Sequence, residues 1–173
     1  MKQVTKMIAA LCLFVTLLVL RELPAEIPAH YDSAGNITRW GSKYEFLILP
    51  VILLLVSFGS RFLLLHLRRK AEQAGSDKER QAAAANAKVV VIVIFSQTLI
   101  LSCIQGVALY NTVFALRGES FLSTFAGEKL LTVLCGSLLL VPGNILPKCR
   151  RNGMVGFRLP WTKYNDITWQ KSN

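Results

Sequence analysis

The chain has 173 residues, of which 53% are hydrophobic and only 17% are charged, whereas soluble domains carry about 25% charged residues. Long stretches have no charge at all, so the composition indicates an integral membrane protein and excludes an ordinary soluble domain. The net charge of +10 would suggest nucleic acid in a soluble protein. Here orientation in a membrane explains it better, and we expect no direct nucleic acid binding.

The first two apolar stretches predict two membrane-spanning helices. Residues 7–20, extendable back to residue 4, follow Lys2 and Lys6. A signal peptide has a similar basic start and short apolar run, but the small-residue cleavage pattern after this stretch is poor, so we expect an anchor helix. Residues 44–67 form the second predicted span, with Pro50 in its early turns and Arg61 late.

Two further apolar stretches predict the remaining spans. Residues 89–109 carry no charge and match the roughly 20 residues that a bilayer needs. Residues 130–146 form the fourth span, which Gly136, Pro142 and Gly143 are expected to break, with Pro142 and Gly143 ending it. The predicted fold class is therefore an all-α integral membrane protein, a four-helix transmembrane bundle.

The uneven distribution of basic residues predicts the direction of the spans. Fourteen lie at the amino terminus, in the second loop and in the tail: Lys2, Lys6, Arg68, Arg69, Lys70, Lys78, Arg80, Lys88, Lys148, Arg150, Arg151, Arg158, Lys163 and Lys171. Five lie in the first and third loops: Arg21, Arg39, Lys43, Arg117 and Lys129. Because cytoplasmic segments carry the excess of Lys and Arg, we expect the amino terminus and the tail inside, and the first and third loops outside.

The spans divide the chain into three parts. Residues 1–70 form an amino-terminal two-span unit, residues 71–88 an inner basic loop, and residues 89–173 a second two-span unit with an inner tail. In the basic loop, Asp77 is a candidate cap for a helix that runs through residues 79–82 directly into the third span. We favour a solvated helical extension over a nucleic-acid-binding patch, because no aromatic residues are interleaved with the basic ones. The third loop, residues 111–129, is rich in Phe and Leu and is expected to lie in the outer interface.

The first outer loop holds the first group of candidate site residues. Pro24 and Pro28 stiffen it, residues 33–36 predict a turn, and Trp40 lies where an aromatic ring suits the membrane interface. His30 and Asp32 are both suitable zinc ligands, but two ligands do not make a site, so we favour a hydrogen-bonded, ordered loop. The residues expected to face a partner are Pro28, His30, Asp32, Gly35, Trp40 and Lys43.

Polar side chains inside the predicted spans have two interpretations. For Arg61 we favour snorkelling to the inner interface, or a span that ends near Gly59 and Ser60, over a functional intramembrane charge. Gln97 and Gln105 are eight residues apart and project from a similar face. We favour interhelical hydrogen bonds for them, with a substrate path as the alternative.

The sequence offers no catalytic arrangement. It contains neither HExxH, GxSxG, a phosphate-binding glycine loop nor a Rossmann fingerprint, so we expect no enzyme, no catalytic residues, no metal and no cofactor. The four cysteines include no CxxC pair, and we expect no disulfide framework.

Two sets of short motifs extend over nearly the whole chain. The first is Leu23-Pro24, Ile27-Pro28, His30, Gly35 and Gly41-Ser42-Lys43. The second, more specific set is Gly143-Asn144, Lys148, Asn152, Gly156, Arg158, Pro160-Trp161-Thr162 and Trp169. Together, and in this order, they resemble the SdpI family of bacterial membrane proteins. Family members usually continue after the last Trp into a further pair of spans, whereas this sequence ends at Asn173, so the resemblance implies either a natural short form or a truncated gene.

The resemblance implies a function as well as a membrane. It implies a multi-pass protein of the bacterial cytoplasmic membrane that gives immunity to a secreted toxic peptide, with the outer loop facing the toxin. It also implies that the inner surface holds a transcriptional repressor at the membrane. The expected partners are the lipid bilayer, the toxin, the repressor and a second copy of the chain. The alternative hypothesis is a small transporter or transporter accessory subunit, with a path lined by Arg61, Gln97, Gln105 and Asn144.

Overall fold

Three long apolar helices and one shorter helix dominate the computed structural model, which describes residues 1–32, 36–118, 125–148, 151 and 156–172. Helix α1 spans Lys2–Glu22, α2 spans Ile48–Glu72, α3 spans Asp77–Ala115 and α4 spans Phe125–Ile145. Short 3₁₀ helices cover Lys43–Leu47, Leu146–Lys148 and Trp161–Lys163, and a final helix, α5, spans Asp166–Ser172. The prediction of a mostly helical protein with apolar, membrane-length helices is confirmed.

Helix α2 runs without interruption from Ile48 to Glu72. Pro50 lies in its first turn, where backbone N–H groups have no intrahelical partner and a proline costs little. The helix also continues without a break through Gly59 and Arg61, so no separate segment begins after Ser60, and the position at which the span leaves the membrane stays a prediction. Arg61 is exposed on the helix surface.

Helix α3 is the longest element, with 39 residues, or about 58 Å at 1.5 Å per residue. The Ser76 hydroxyl caps it by accepting from the Glu79 N–H at 3.4 Å. The prediction that a helix from the basic loop continues into the third span is confirmed, although the cap is Ser76 and not Asp77. Because the hydrocarbon core of a bilayer is about 30 Å thick, a substantial part of α3 lies outside it.

Helix α4 corrects the prediction of a broken fourth span. The helix passes through Pro142 and Gly143 and ends at Ile145. Proline lacks an N–H, so the carbonyl of residue 138 loses its usual donor at residue 142. Gln97 of α3 supplies a replacement, because its side-chain Nε2 donates to Leu138 O at 3.1 Å. A side chain from the neighbouring helix thus satisfies the carbonyl that the proline leaves open.

The connection between α1 and α2 contains the main departure from an all-α fold. Strands β1 (Glu26–Tyr31) and β2 (Ile37–Ser42) pair as an antiparallel hairpin. The register runs from Glu26 opposite Ser42 to Tyr31 opposite Ile37, with an irregularity on either side of His30. We call residues 26–42 the hairpin. The sequence predicted an ordered loop here but not its strands.

The core lies between α1, α2 and α3, which all contact one another, whereas α4 packs mainly against α3. One cluster is formed by Ala9, Cys12 and Leu53, and a second by Leu20, Leu23 and Ile27 at the hairpin end. The predicted four-helix bundle is therefore a three-helix unit with α4 on one side, as far as the described residues go.

The outward faces of the long helices are not covered by other described parts of the protein. Three segments are long and apolar enough to cross a membrane: Lys2–Glu22, Lys43–Glu72 and Glu79–Ala115. Only 22%, 22% and 17% of the residues in their apolar windows are buried within the protein. Water does not tolerate so much exposed apolar surface, so lipid is the natural solvent of these faces.

Candidate functional site

The base of the hairpin is fixed by Lys43. Its ammonium Nζ donates to Leu20 O and to Leu23 O, each at 2.8 Å. These carbonyls lie at the carboxyl end of α1, where the last turn has no intrahelical donors and a positive charge is favourable. The Lys43 side chain therefore caps α1 while its backbone N–H donates to Ala25 O at 3.1 Å.

The two residues before Lys43 have structural roles of their own. A Cβ atom at Gly41 would meet the Glu45 carboxylate and would lie 2.9 Å from the Ala29 Cβ, so a side chain does not fit there. The Ser42 hydroxyl accepts from the Tyr44 N–H at 3.4 Å at the start of the 3₁₀ helix. The spacing of Gly41, Ser42 and Lys43 is thus explained by the geometry of the strand-to-helix turn.

A second polar contact joins β2 to the same turn. The Arg39 guanidinium donates to both Glu45 carboxylate oxygens, at 2.9 and 3.2 Å. This contact raises the pKa of Arg39 above its ordinary value. Both side chains are exposed, so the bridge contributes little stability, but the paired fork orients the turn relative to the strand.

The far end of the hairpin uses its polar groups internally. His30 Nδ1 lies 2.7 Å from Thr38 Oγ1 across the two strands. The Asp32 carboxylate accepts from the Asn36 backbone N–H at 2.8 Å and from its side-chain Nδ2 at 3.0 Å. The contacts of His30 and Asp32 thus go to different partners. Within the described ranges no three His, Cys, Asp or Glu side chains are grouped as metal ligands.

Gln105 ties the base of the hairpin to the helices. It is 4% exposed, and its Nε2 donates to Phe46 O at 2.9 Å and to Thr16 Oγ1 at 3.4 Å. Thr16 in turn donates to Cys12 O at 2.8 Å. One side chain of α3 therefore contacts α1 and the turn that leads into α2, and the prediction of interhelical hydrogen bonds for Gln105, as for Gln97, is confirmed.

Beside the hairpin lies a small cavity of about 220 Å³. Its lining comes from β1, the 3₁₀ turn and α3, and includes Pro28, Glu45, Phe46, Asn111 and Thr112. Pockets for whole small-molecule ligands are usually about 300–1,000 Å³. The space therefore suits one or two side chains of a partner better than a complete ligand.

The hairpin displays three of its predicted site residues, His30, Asp32 and Trp40. Trp40 is 56% exposed and His30 is exposed as well. Pro28 is buried and Lys43 is half-buried against α1, so these two shape the hairpin from within. The predicted residue Gly35 lies outside the described residues.

The second candidate site is a turn in the tail, residues 156–163, which we call the tail turn. Gly156 has a φ of 110°, a conformation that favours glycine. The fully buried Thr162 places its hydroxyl 2.8 Å from Phe157 O and 2.9 Å from Leu159 O. Pro160 precedes the 3₁₀ helix, where its fixed φ is suitable. Gly156, Pro160 and Thr162 thus form the turn, whereas Arg158 and Trp161 are exposed on it.

The tail is fixed to the helices by Trp169. This side chain is 1% exposed and packs with Val89, Val93 and Ile145, on α3 and α4. Asn165 and Thr168 cap α5 reciprocally, with N–H to side-chain oxygen distances of 2.8 and 3.1 Å. The predicted residues Asn144 and Lys148 are exposed at the end of α4, and Asn152 lies outside the described residues.

The residues predicted for a transport path do not meet. Gln97 contacts α4 and Gln105 contacts α1 and the 3₁₀ turn. Arg61 and Asn144 are exposed on the surfaces of α2 and α4. The described structure therefore does not bring these four side chains to one cavity.

These features define the class of the protein as a multi-pass membrane protein, with three membrane-length helices and a shorter apolar one. Residues 7–54 match the family model described as a domain of unknown function (DUF1648). The match includes most of α1, the whole hairpin and the first turns of α2. No curated protein and no solved structure matches the chain.

Proposed function

We propose that this chain is an immunity protein of the bacterial cytoplasmic membrane, which protects its cell from a secreted toxic peptide. The proposal rests on the resemblance of its two motif sets to the SdpI family. Residues 7–54, which match a family model, also contain the first motif set. The match supports the proposal for that segment alone. In this proposal the chain crosses the membrane four times, with the amino terminus and the tail inside and the hairpin outside.

The structural observation that supports the proposal is the way the hairpin is held. Lys43 and Gln105 connect its base to α1 and α3, while Trp40 and His30 remain exposed. A rigid support with a displayed aromatic ring is the usual arrangement of a recognition surface, because little entropy is lost on binding. The toxin would contact Trp40 and insert a side chain into the cavity beside Pro28.

The tail turn is proposed as the inner element. Its exposed Arg158 presents a planar fork of donors that suits a carboxylate or a phosphate, and Trp161 is exposed on the same turn. In the proposal these two side chains hold the transcriptional repressor at the membrane when toxin is bound outside.

The test is a toxin challenge of cells from which the gene has been deleted. Deletion should make the cells sensitive to toxic peptides secreted by neighbouring strains, and the intact gene should restore resistance. Trp40→Ala should fail to restore it. Tyr164→Ala is the control, because it removes an exposed aromatic side chain (81% exposed) at a position that has no role in the proposal, and it should restore resistance.

Three results would contradict the proposal. Unchanged sensitivity after deletion removes the immunity function altogether. Equal protection by Trp40→Ala and the intact protein removes the hairpin as the toxin-facing surface. A repressor reporter that responds to toxin equally well with Arg158→Ala and with the intact protein removes the role of the tail turn.

A further inference from the structure

Three basic side chains from three different helices line one cavity. Lys2 comes from the start of α1, Arg68 from the last part of α2 and Lys88 from the first part of α3. The cavity has a volume of about 340 Å³, and we call it the basic cavity. It is separate from both the hairpin and the tail turn, since it shares no lining residue with either.

The rest of the wall is apolar. Leu64 of α2 and Val91 and Ile92 of α3 line the basic cavity below the charges. Leu64 belongs to the buried cluster that joins α2 and α3, and Val91 packs against that cluster. The cavity therefore combines a cationic rim with an apolar wall. A small inorganic anion would need only the charges of the rim and would make no use of the apolar wall.

The position along the helices matches the boundary of the apolar segments. In α2 the mainly apolar segment, which contains Arg61 and His66, ends at Leu67, directly before Arg68, and in α3 an uncharged apolar segment begins at Val89, directly after Lys88. Both helices thus change from apolar to charged at the cavity. In a bilayer this depth is occupied by phosphate groups, with acyl chains beginning next to them.

The rim charges are not neutralised within the described part of the chain. The salt bridges there are Arg39–Glu45, Arg80–Asp77 and Arg151–Asp166. None involves Lys2, Arg68 or Lys88. Glu72 and Arg80 line a neighbouring cavity that shares Arg68, but no carboxylate lines the basic cavity itself.

We propose that the basic cavity binds one anionic phospholipid. Its phosphate lies among Lys2, Arg68 and Lys88, and the beginning of one acyl chain lies along Leu64, Val91 and Ile92. The charge of the rim selects an anionic over a zwitterionic headgroup, and the apolar wall selects a lipid over free phosphate. The inference depends on the chain being in a membrane and not on toxin immunity, so the two proposals fail separately.

The test measures lipid binding to the full chain purified in a nonionic detergent. Short-chain phosphatidylglycerol is titrated and bound lipid is counted by native mass spectrometry, with phosphatidylcholine of the same chain length as the comparison. The double variant Arg68→Gln, Lys88→Gln removes two rim charges. The matched control Arg69→Gln, Lys70→Gln removes two charges from the same end of α2, at positions that do not line the cavity.

The rim variant should weaken phosphatidylglycerol binding by roughly 25-fold, or about fivefold per charge, and the control by less than about twofold. Phosphatidylcholine should bind weakly to all forms, and inorganic phosphate should not displace the lipid. If the double variant does not fold, Lys88→Gln alone should show the fivefold effect. Equal losses in rim and control variants, equal binding of both lipids, or displacement by inorganic phosphate would each overturn the proposal.

Discussion

The contact between Gln97 and Leu138 O gives a prediction that can be tested by a double-mutant cycle. Pro142 cannot donate to the carbonyl four residues earlier, and the Gln97 side chain donates to it at 3.1 Å instead. Replacing Gln97 by Leu leaves that carbonyl without a donor inside the apolar layer. Interhelical hydrogen bonds in membrane proteins average about 0.6 kcal/mol, and an unsatisfied buried acceptor costs about 1–3 kcal/mol. We expect Gln97→Leu to lower the free energy of unfolding by about 1–2 kcal/mol.

The cycle isolates the reason for this loss. In the Pro142→Ala background the backbone regains an N–H that reaches the Leu138 carbonyl, so Gln97→Leu should cost less than about 0.5 kcal/mol. The free energies are measured by SDS titration in mixed micelles, with helix content as the signal. Gln105→Leu is the control, because its contacts lie on α1 and the 3₁₀ turn, and its cost should be the same in both backgrounds. Equal costs of Gln97→Leu with and without Pro142 would refute the reasoning.

Three further substitutions test the remaining contacts. Trp169→Ala should cost about 3–5 kcal/mol of local stability and expose the amides of residues 166–172 to hydrogen exchange, because a helix of seven residues is not stable alone. Trp161→Ala, the exposed control, should leave these amides protected. Protection in both variants would contradict the packing of Trp169 against α3 and α4. Gly41→Ala should lower the melting temperature, since its Cβ meets Glu45 and Ala29. Gly59→Ala is the control and should raise the melting temperature slightly, because its Cβ would have no atom within 4 Å. A higher melting temperature for Gly41→Ala than for Gly59→Ala would contradict the close packing at Gly41. Lys43→Met should cost about 1–3 kcal/mol by removing two charge-assisted hydrogen bonds, and an unchanged melting temperature would show that Lys43 does not cap α1.

The long helices follow from the sequence because an apolar run of about 20 residues has few alternatives in lipid. The prediction that α3 begins in the basic loop also succeeded, since Ser76, Asp77 and Glu79 are local signals of a helix start. The prediction for α4 failed because Pro142 is also a local signal, and its effect is cancelled by Gln97 from another helix. Gln97 and Pro142 are far apart in the sequence, so a local sequence pattern does not show this hydrogen bond.

The strands of the hairpin escaped prediction for a related reason. β1 contains Pro28 and is irregular around His30, so it shows no clean alternation, and the turn signal at residues 33–36 was not enough by itself to predict two strands. What holds it is tertiary: Ile27 is buried with Leu20 and Leu23 of the α1 end, and Lys43 reaches back to the same end. An ordered loop was predictable from its residues, whereas its fold depends on contacts with α1 and α3.

The structure changes what the two motif sets are evidence for. In the first set, Gly41, Ser42 and Lys43 are explained by a tight approach, a cap and a helix end. In the second, Gly156, Pro160 and Thr162 build a turn, and Trp169 fixes the tail to α3 and α4.

Spacing of this kind is needed whether or not the protein binds a partner, so the motif residues that form the scaffold cannot reveal the ligand. Recognition can depend only on the side chains that the scaffold leaves exposed, chiefly His30 and Trp40 on the hairpin and Arg158 and Trp161 on the tail turn. Substitutions of Trp40, Arg158 or Trp161 leave these scaffold contacts intact, whereas a substitution of His30 also removes its cross-strand contact with Thr38. A loss of protection caused by Trp40→Ala at unchanged melting temperature would therefore report recognition, whereas the same loss caused by Lys43→Met would report only a disordered hairpin.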